Sequence, residues 1–226
     1  MIKLILGDSK EELKKIESNS IDIIITDPPY NIGFAEYDNS DIFFELEEEY
    51  YRVLKPNSWF IFWWSTKRIP DISKLKIFQY KHLIICNFRG TYSRSPLGKR
   101  EYSPIFVFTK GNPKLVYSRS DTILAEELPI IQTKIKRGDF KPTFTLSQLL
   151  LMFTKENDIV LDPFMGFGSM ALVCKLFNRS FIGIEQDEIR YKIAELLVKE
   201  GKLTRSIPDY IKLFSNNKKE EQKKLF

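Results

Sequence analysis

The chain has 226 residues, of which 43% are apolar, enough for one α/β domain with a sizeable core or for a core domain with a small insertion. Its net charge of +5 suits a nucleic-acid partner about as well as it suits a lysine-rich protein without one. Two cysteines in apolar surroundings and a single histidine argue against a zinc site and a structural disulfide. No apolar stretch approaches the roughly 18 residues that cross a membrane, and no signal peptide is visible, so we expect a cytoplasmic location.

Strand and helix patterns alternate along the chain. In chain order they predict strand 2–6, helix 10–17, strand 21–26, helix 41–54 ended by Pro56, strands 59–64, 77–86 and 104–108, helix 145–154, strand 158–162, a helix from 166–169 to about 177, strand 181–184 and helix 188–200. Such alternation is typical of a mostly parallel sheet with helices on both faces.

The strand over residues 21–26 is followed directly by Asp27-Pro28-Pro29-Tyr30. Neither proline has an N–H to donate to a strand ladder, so the chain leaves the sheet abruptly at the strand's carboxyl end. That end is where open α/β sheets bind ligands. A carboxylate, backbone carbonyls and an aromatic face at this place suit a flat base with an exocyclic amine. Taken singly, Asp27 would be a turn former and Tyr30 a core aromatic.

Two irregular segments carry clusters of basic residues. One lies between the strands 77–86 and 104–108, and the other runs from 109 to about 141. Each is either a nucleic-acid surface or a solvated loop. The candidate nucleic-acid-binding residues are Arg89, Arg94, Lys99, Arg100, Lys134, Lys136 and Arg137. Residues 215–226 form a polar basic tail that we expect to be flexible.

A second motif begins at the end of the strand 158–162 and runs from Asp162 to Ser169, with glycines at 166 and 168. Glycines let the backbone approach a ligand at a helix N-terminus. Glu185, at the end of the next strand, suits two ribose hydroxyls. The residues 166–171 also satisfy a dinucleotide-binding pattern. Too little chain follows Glu185 to complete a dinucleotide domain, so the other strands must lie upstream in a permuted order. S-adenosylmethionine fits better, because its cationic groups suit the carboxylate of Asp162.

Together, in this order, the two motifs resemble the DNA amino-methyltransferases that modify adenine N6 or cytosine N4. The catalytic motif precedes the cofactor motif, which resembles the β group of that family, and the resemblance covers nearly the whole chain. It implies a permuted Rossmann-like methyltransferase fold in a single domain, residues 1–226, with a small target-recognition insertion over 111–140. It also implies S-adenosylmethionine as cofactor and double-stranded DNA as substrate, with no membrane association. A homodimer and a cognate restriction enzyme are compatible with it.

The resemblance also implies roles for individual residues. Asp27 and the carbonyl of Pro28 would accept the two N–H groups of the target amine, and Tyr30 would stack on a base flipped out of the duplex. The catalytic residues are then Asp27, Pro28, Pro29 and Tyr30, and the cofactor-binding residues are Asp8, Asp162, Pro163, Phe164, Gly166, Gly168, Ser169 and Glu185. The role of Lys141 is open, because residues 138–140 depart from the segment that usually precedes it in the family.

Several alternatives stay open at this point. Aspartate rather than serine at the head of the tetrapeptide favours adenine N6 over cytosine N4. An enzyme of the same fold acting on RNA or on a protein side chain is a second candidate, although such enzymes usually carry the glycine motif first. A non-catalytic nucleic-acid-binding subunit is a third, and the presence of both Asp27 and Glu185 argues against it.

Overall fold

A computed structural model describes residues 1–33, 41–88, 93–126, 141–201, 209–212 and 214, with the side chains of residues 93 and 94 outside that description. Its strands are β1 (Ile2–Leu6), β2 (Ile21–Thr26), β3 (Leu54–Trp63), β4 (Gln79–Asn87), β5 (Ser93–Ser95), β6 (Gly98–Arg100), β7 (Tyr102–Lys110), β8 (Thr122–Leu124), β9 (Ile159–Asp162) and β10 (Ser180–Glu185). Strands β5 and β6 form a separate hairpin, and the other eight form one sheet in the order β1-β10-β9-β2-β3-β7-β4-β8.

The sheet is parallel from β1 to β3, and β7 runs antiparallel to both of its neighbours. Strand β9 leads through a helix to β10 on one side, whereas β2 leads to β3 on the other. The chain therefore reverses its direction of winding between β9 and β2, and the crevice at their carboxyl ends is the place where such sheets bind ligands. Because β9 and β10 come from late in the chain yet lie between β1 and β2, the permuted order predicted from the motifs is confirmed.

Helices cover both faces of the sheet. They are α1 (Ser9–Glu12), α2 (Ile42–Glu45), α3 (Glu47–Val53), α4 (Thr143–Phe153), α5 (Ser169–Leu176) and α6 (Glu188–Glu200), with 3-10 turns at Leu13–Lys15 and Thr66–Lys74. Side chains alternate along a strand, so Ile23 and Ile25 of β2 pack with α4 and α5 on one face while Ile24 packs with Phe43 of α2 on the other. No helix among the described residues is long and apolar enough to cross a membrane.

The helix predicted over 41–54 is wrong as a single element. The backbone leaves the helical region at Leu46, between α2 and α3, and the buried carboxylate of the next residue, Glu47, accepts N–H groups from residues 76–78. Pro56 does not end the helix either: α3 ends at Val53, and Pro56 lies inside β3. The pairing of β2 with β3 shifts register there, so no ladder N–H is needed from the proline.

The helix predicted over 10–17 is shorter than expected. It consists of α1 and one 3-10 turn, after which Ile16 is extended. Strand β8 and the hairpin β5–β6 have no counterpart in the predicted elements. Strand β8 lies within the segment 111–140, predicted as a target-recognition insertion, and it pairs with β4 of the main sheet. Residues 127–140 of that segment and the tail 215–226 lie outside the described residues.

Candidate active site

The carboxyl ends of four adjacent parallel strands bring both predicted motifs to one edge of the sheet. In sheet order, β1, β10, β9 and β2 end at Leu6, Glu185, Asp162 and Thr26. Neighbouring strands lie about 4.8 Å apart, so these ends form a continuous row of groups along the crevice. A buried hydrogen bond of 2.7 Å from Thr26 Oγ1 to Asp162 Oδ1 joins the end of β2 to the end of β9.

The turn after β1 closes one end of this row. The Gly7 N–H donates to the carbonyl of Glu185 (3.0 Å), and the buried Ser9 hydroxyl donates to the carbonyl of Pro163. Asp8 is exposed at the rim and caps α1 by accepting the N–H of Lys10 (2.8 Å). The structure therefore brings Asp8 to the same edge as the other predicted cofactor residues, but its carboxylate serves the helix cap.

The loop after β9 is built around two glycines in the left-handed region. Gly166 has φ +55° and Gly168 has φ +81°, and α5 begins at Ser169. A side chain at Gly168 would place its Cβ 2.8 Å from the Cβ of Ala194 in α6, so only glycine fits at this contact. The half-buried Phe164 donates its N–H to Asp162 Oδ1 (3.0 Å). The carboxylate of Asp162 thus binds the backbone of the loop that leads from β9 to the N-terminus of α5.

Glu185 is held by the elements on either side of it. Its Oε1 accepts the N–H of Asp187 at 2.8 Å, and the carboxylate also accepts the N–H of Gly166. Asp187 in turn caps α6. These bonds fix the carboxylate at the end of β10, at the position predicted for a group that binds ribose hydroxyls.

Three carboxylates, those of Asp27, Asp162 and Glu185, lie close enough in this crevice to interact electrostatically. Burial, together with the nearby charges of Asp27 and Glu185, raises the pKa of Asp162 to about 7, although the hydroxyl of Thr26 and the N–H of Phe164 oppose the shift. Burial also raises the pKa of Glu185. Both residues are more than 90% buried, so water solvates their ionised carboxylates poorly. A positively charged ligand bound here would stabilise the ionised forms in place of water.

Asp27 stands beside this row with both of its oxygens engaged. The hydroxyl of Tyr30 donates to Oδ1, and Lys141 Nζ lies 2.5 Å from Oδ2. The Lys141 ammonium also lies 5.5 Å from the centre of the Trp63 ring. Pro28 is buried and Pro29 is half-buried. The carboxylate is thereby held in one orientation at the mouth of the crevice.

Tyr30 is fixed through both its ring and its backbone. The ring packs edge-on against Trp64 with 5.6 Å between centroids, and the carbonyl accepts a 2.7 Å hydrogen bond from Arg68. Arg68 is itself paired with Asp41 (2.9 Å) and with Asp71. Hydrogen bonds from Lys74, Asn31 and Arg68 lower the pKa of Asp41. Burial lowers the pKa of Arg68, but its pairing with Asp41 and Asp71 outweighs that effect and raises it. The aromatic face at the crevice is therefore a rigid one.

Two of these supporting residues had no predicted role. Lys141 was noted as part of a segment that resembles the family, but nothing in its spacing from Asp27 indicates a contact. Arg68 has no sequence signal at all, because its partners come from three separate parts of the chain. Only the folded arrangement of β2, β3 and the start of α4 brings these groups together.

The basic residues predicted to bind nucleic acid are only partly described. Lys99 is exposed in β6, and Arg94 in β5 is its cross-strand partner. Arg100 is half-buried and donates to the hydroxyl of Thr66. The remaining four, Arg89, Lys134, Lys136 and Arg137, lie outside the described residues.

A family model described as DNA methylase matches residues 21–196, which is most of the chain and includes both motifs. The chain belongs to this family of N6/N4 DNA methylases. It is 34% identical over 221 residues to the type II methyltransferase M.HpaI of Haemophilus parainfluenzae, covering 81% of this chain and 69% of that relative. It is 30% identical over 229 residues to the DNA adenine methyltransferase YhdJ of Escherichia coli, covering 80% and 77%. The structure of the cytosine-N4-specific PvuII DNA methyltransferase superposes with a TM-score of 0.70 at 17% identity, covering 93% and 91%, and so shows a shared fold.

The chain is therefore a β-group DNA amino-methyltransferase with S-adenosylmethionine as its cofactor. The observed crevice fits that cofactor. The buried carboxylate of Asp162 suits its cationic groups, and that of Glu185 suits its ribose hydroxyls. The glycines at 166 and 168 let the backbone approach a ligand at the start of α5. Asp162, Glu185 and the loop 163–169 are the residues that would hold it.

Proposed function

We propose that the chain methylates N6 of adenine in double-stranded DNA, on a base flipped out of the duplex. The observation that carries this proposal is the setting of Asp27. Its carboxylate is oriented by Tyr30 and Lys141, and it lies one strand away from the buried Asp162 in the cofactor crevice. An amine acceptor and a cofactor site thus share one edge of the sheet.

The exocyclic amine of a base is a poor nucleophile, because its lone pair is delocalised into the ring. Each carboxylate oxygen has two acceptor sites, so Asp27 can keep its bonds to Tyr30 and Lys141 and still accept an N–H from the target amine. Acceptance of that N–H favours a pyramidal nitrogen and stabilises the positive charge that develops on it. The carbonyl of Pro28 is the proposed acceptor for the second N–H. S-adenosylmethionine supplies, when bound, an electrophilic methyl group on a sulfonium.

Flipping the target base costs a few kcal/mol of lost stacking and pairing. Stacking on an aromatic side chain returns about 1–3 kcal/mol, and Tyr30 is the aromatic residue adjacent to Asp27. Its ring is already held by Trp64, and its carbonyl by Arg68, so little further ordering is needed when a base arrives. This rigidity supports the stacking role proposed for Tyr30.

Two observations favour adenine over cytosine. The tetrapeptide begins with aspartate, and the relative YhdJ, described as a DNA adenine methyltransferase, is 30% identical across 80% of this chain. The PvuII enzyme, which acts on cytosine N4, shares the fold at 17% identity and keeps that base as the alternative. RNA is the less favoured alternative substrate for the same site.

The base can be identified directly. Unmethylated DNA is incubated with the purified chain and S-adenosylmethionine, digested to nucleosides and analysed by mass spectrometry, with RNA treated in parallel. We expect N6-methyladenine in the DNA and no methylated nucleoside in the RNA. Appearance of N4-methylcytosine instead would refute the adenine assignment while leaving the family unchanged.

Target recognition is proposed to involve the segment 111–140. Its described part, residues 111–126, is joined to the rest of the domain in two places. The Val116 N–H donates to the Met152 carbonyl (2.8 Å), and β8 pairs with β4. Because this segment is short, we propose either a short recognition site or recognition shared between two copies of the chain. The homodimer and the cognate restriction enzyme stay predictions, and sedimentation velocity of the purified chain would test the first.

A further inference from the structure

We infer that the β5–β6 hairpin is a DNA wedge, with Leu97 at its tip entering the base stack beside the flipped nucleotide. This inference rests on the proposed function. It assigns a role to a part of the chain that neither the catalytic motif nor the cofactor motif uses.

The hairpin projects from the same edge of the sheet as the active site. Strand β4 runs antiparallel to β7, and β7 runs antiparallel to β3, so the end of β4 and the start of β7 lie at the edge where β2 and β9 end. The hairpin connects those two points, and the Phe88 N–H donates to the Glu101 carbonyl at its base. Strand β7 is two strands from β2, about 10 Å. The major groove is about 12 Å wide, so one duplex can contact the hairpin and Asp27 together.

The base of the hairpin is tied to the structure that supports Tyr30. Arg100 donates to the Thr66 hydroxyl at the start of the 3-10 segment Thr66–Lys74. The same segment supplies Arg68, which donates to the Tyr30 carbonyl. The hairpin and the base-stacking tyrosine are therefore attached to one short segment, and their relative position is set before DNA binds.

The tip itself presents an apolar side chain to solvent. Ser95 pairs with Gly98, which leaves Pro96 and Leu97 as a two-residue turn, and Leu97 is 98% exposed. Pro96 restricts the backbone, and the Ser95 hydroxyl accepts the Leu97 N–H at 3.3 Å. A single exposed leucine is unremarkable on most surfaces. This one stands at the tip of a turn and buries almost none of its side chain against the described residues.

The strands behind the tip favour DNA as the partner. Arg94 and Lys99 occupy a directly paired cross-strand position one residue from the turn, and Lys99 is exposed. Positive residues at that position suit the phosphates on either side of a base step. Apolar side chains that enter a base step from such a basic element unstack it, which lowers the barrier to extrusion of the neighbouring base. The chemistry of the hairpin therefore matches a duplex rather than an apolar protein surface.

The test compares Leu97→Ala with Leu176→Ala. Leu176 is also an exposed leucine, at 41%, and it lies at the end of α5, on the opposite edge of the sheet from the active site. The substrate is a synthetic duplex containing a site mapped by sequencing of DNA treated with the wild-type chain. A second duplex is identical except for a mispair at the target base, which removes most of the need to unstack it.

We expect Leu97→Ala to lower kcat/KM on the matched duplex about 10-fold or more. On the mispaired duplex, the kcat/KM of Leu97→Ala should lie within about 3-fold of the wild-type value. Leu176→Ala should match wild type on both. With 2-aminopurine at the target position, the wild-type chain should raise the fluorescence and Leu97→Ala should raise it much less. An unaffected Leu97→Ala variant, or a loss that the mispair does not restore, would overturn the inference. Absence of any methyl transfer to DNA by the wild-type chain would instead refute the proposed function.

Discussion

At the scale of single residues, the environment of Asp162 is one that suits a positively charged ligand. The residue is 6% exposed and its carboxylate accepts two hydrogen bonds, yet burial and its acidic neighbours still raise its pKa to about 7. The free protein thus keeps an acid that is partly protonated near neutral pH. A bound cation would favour its ionised form and relieve this cost.

This raised pKa predicts that the ligand-free protein loses stability as the pH rises. Unfolded aspartate loses its proton near pH 4, whereas folded Asp162 keeps it to about pH 7. Between those values the folded state binds more protons than the unfolded state, so the free energy of unfolding falls with rising pH. Burial shifts the pKa of Glu185 in the same direction. Thermal unfolding at pH values from 5 to 8 should show this decline in the wild-type chain.

The Asp162→Asn variant is the matched control for the pH series. Its amide oxygen can still accept from Thr26 and Phe164, but it carries no titrating proton. We expect a smaller fall in Tm across the same range than in the wild-type chain. Parallel curves for the two proteins would show that Asp162 does not titrate as described.

At the scale of elements, the start of α5 is fixed by its contact with α6. A Cβ on Gly168 would lie 2.8 Å from the Ala194 Cβ and 3.1 Å from its Cα, and a backbone atom cannot move aside as a flexible side chain can. At Gly166, which also has a positive φ, nothing lies within 4 Å of the added Cβ. Both glycines therefore need a positive φ, but only Gly168 also lacks space for a side chain.

Alanine at these two positions should therefore have different effects on stability. Both substitutions place a side chain in the left-handed region, and only Gly168→Ala also overpacks the contact between α5 and α6. We expect Gly168→Ala to lower the free energy of unfolding by about 1–3 kcal/mol more than Gly166→Ala, measured by urea titration. Equal losses of unfolding free energy in the two variants would contradict this prediction, because they would mean that α5 and α6 accommodate the added methyl group without a penalty.

The elements that sequence predicts well are those set by local signals. Helix α6 has the expected bounds because Asp187 caps its start and Gly201 ends it in the left-handed conformation. Strand β2 ends as expected where Pro28 and Pro29 follow. Both motifs of the site were found in the same way, from residues adjacent in the chain.

The elements that sequence missed depend on distant partners. The break between α2 and α3 accompanies the burial of the Glu47 carboxylate against residues 76–78. Strand β8 has only three residues and forms by pairing with β4. The contact of Lys141 with Asp27 joins two parts of the chain that no local pattern relates. Such features require the tertiary arrangement to be known first.

At the scale of the whole molecule, the permuted strand order explains how the two motifs form one site. Thr26 and Asp162 are 136 residues apart in the chain and 2.7 Å apart in space. The late strands β9 and β10 lie between the early strands β1 and β2, so the cofactor motif and the Asp-Pro-Pro-Tyr motif meet where the winding of the sheet reverses.

The most direct test of the proposed active site is methyl transfer by the Asp27→Ala variant. Labelled S-adenosylmethionine and unmethylated DNA are supplied to the variant, to the wild-type chain and to the control Asp121→Ala. The Asp121 carboxylate is exposed and contacts His82, on a strand that does not carry either motif. Calorimetry with S-adenosylmethionine is the control for folding of the variant, and we expect it to show that cofactor binding is retained. We predict a loss of at least about 100-fold in kcat for Asp27→Ala and no more than about 2-fold for Asp121→Ala. Turnover by Asp27→Ala within about 3-fold of wild type would contradict the role of Asp27 as the acceptor of the target amine.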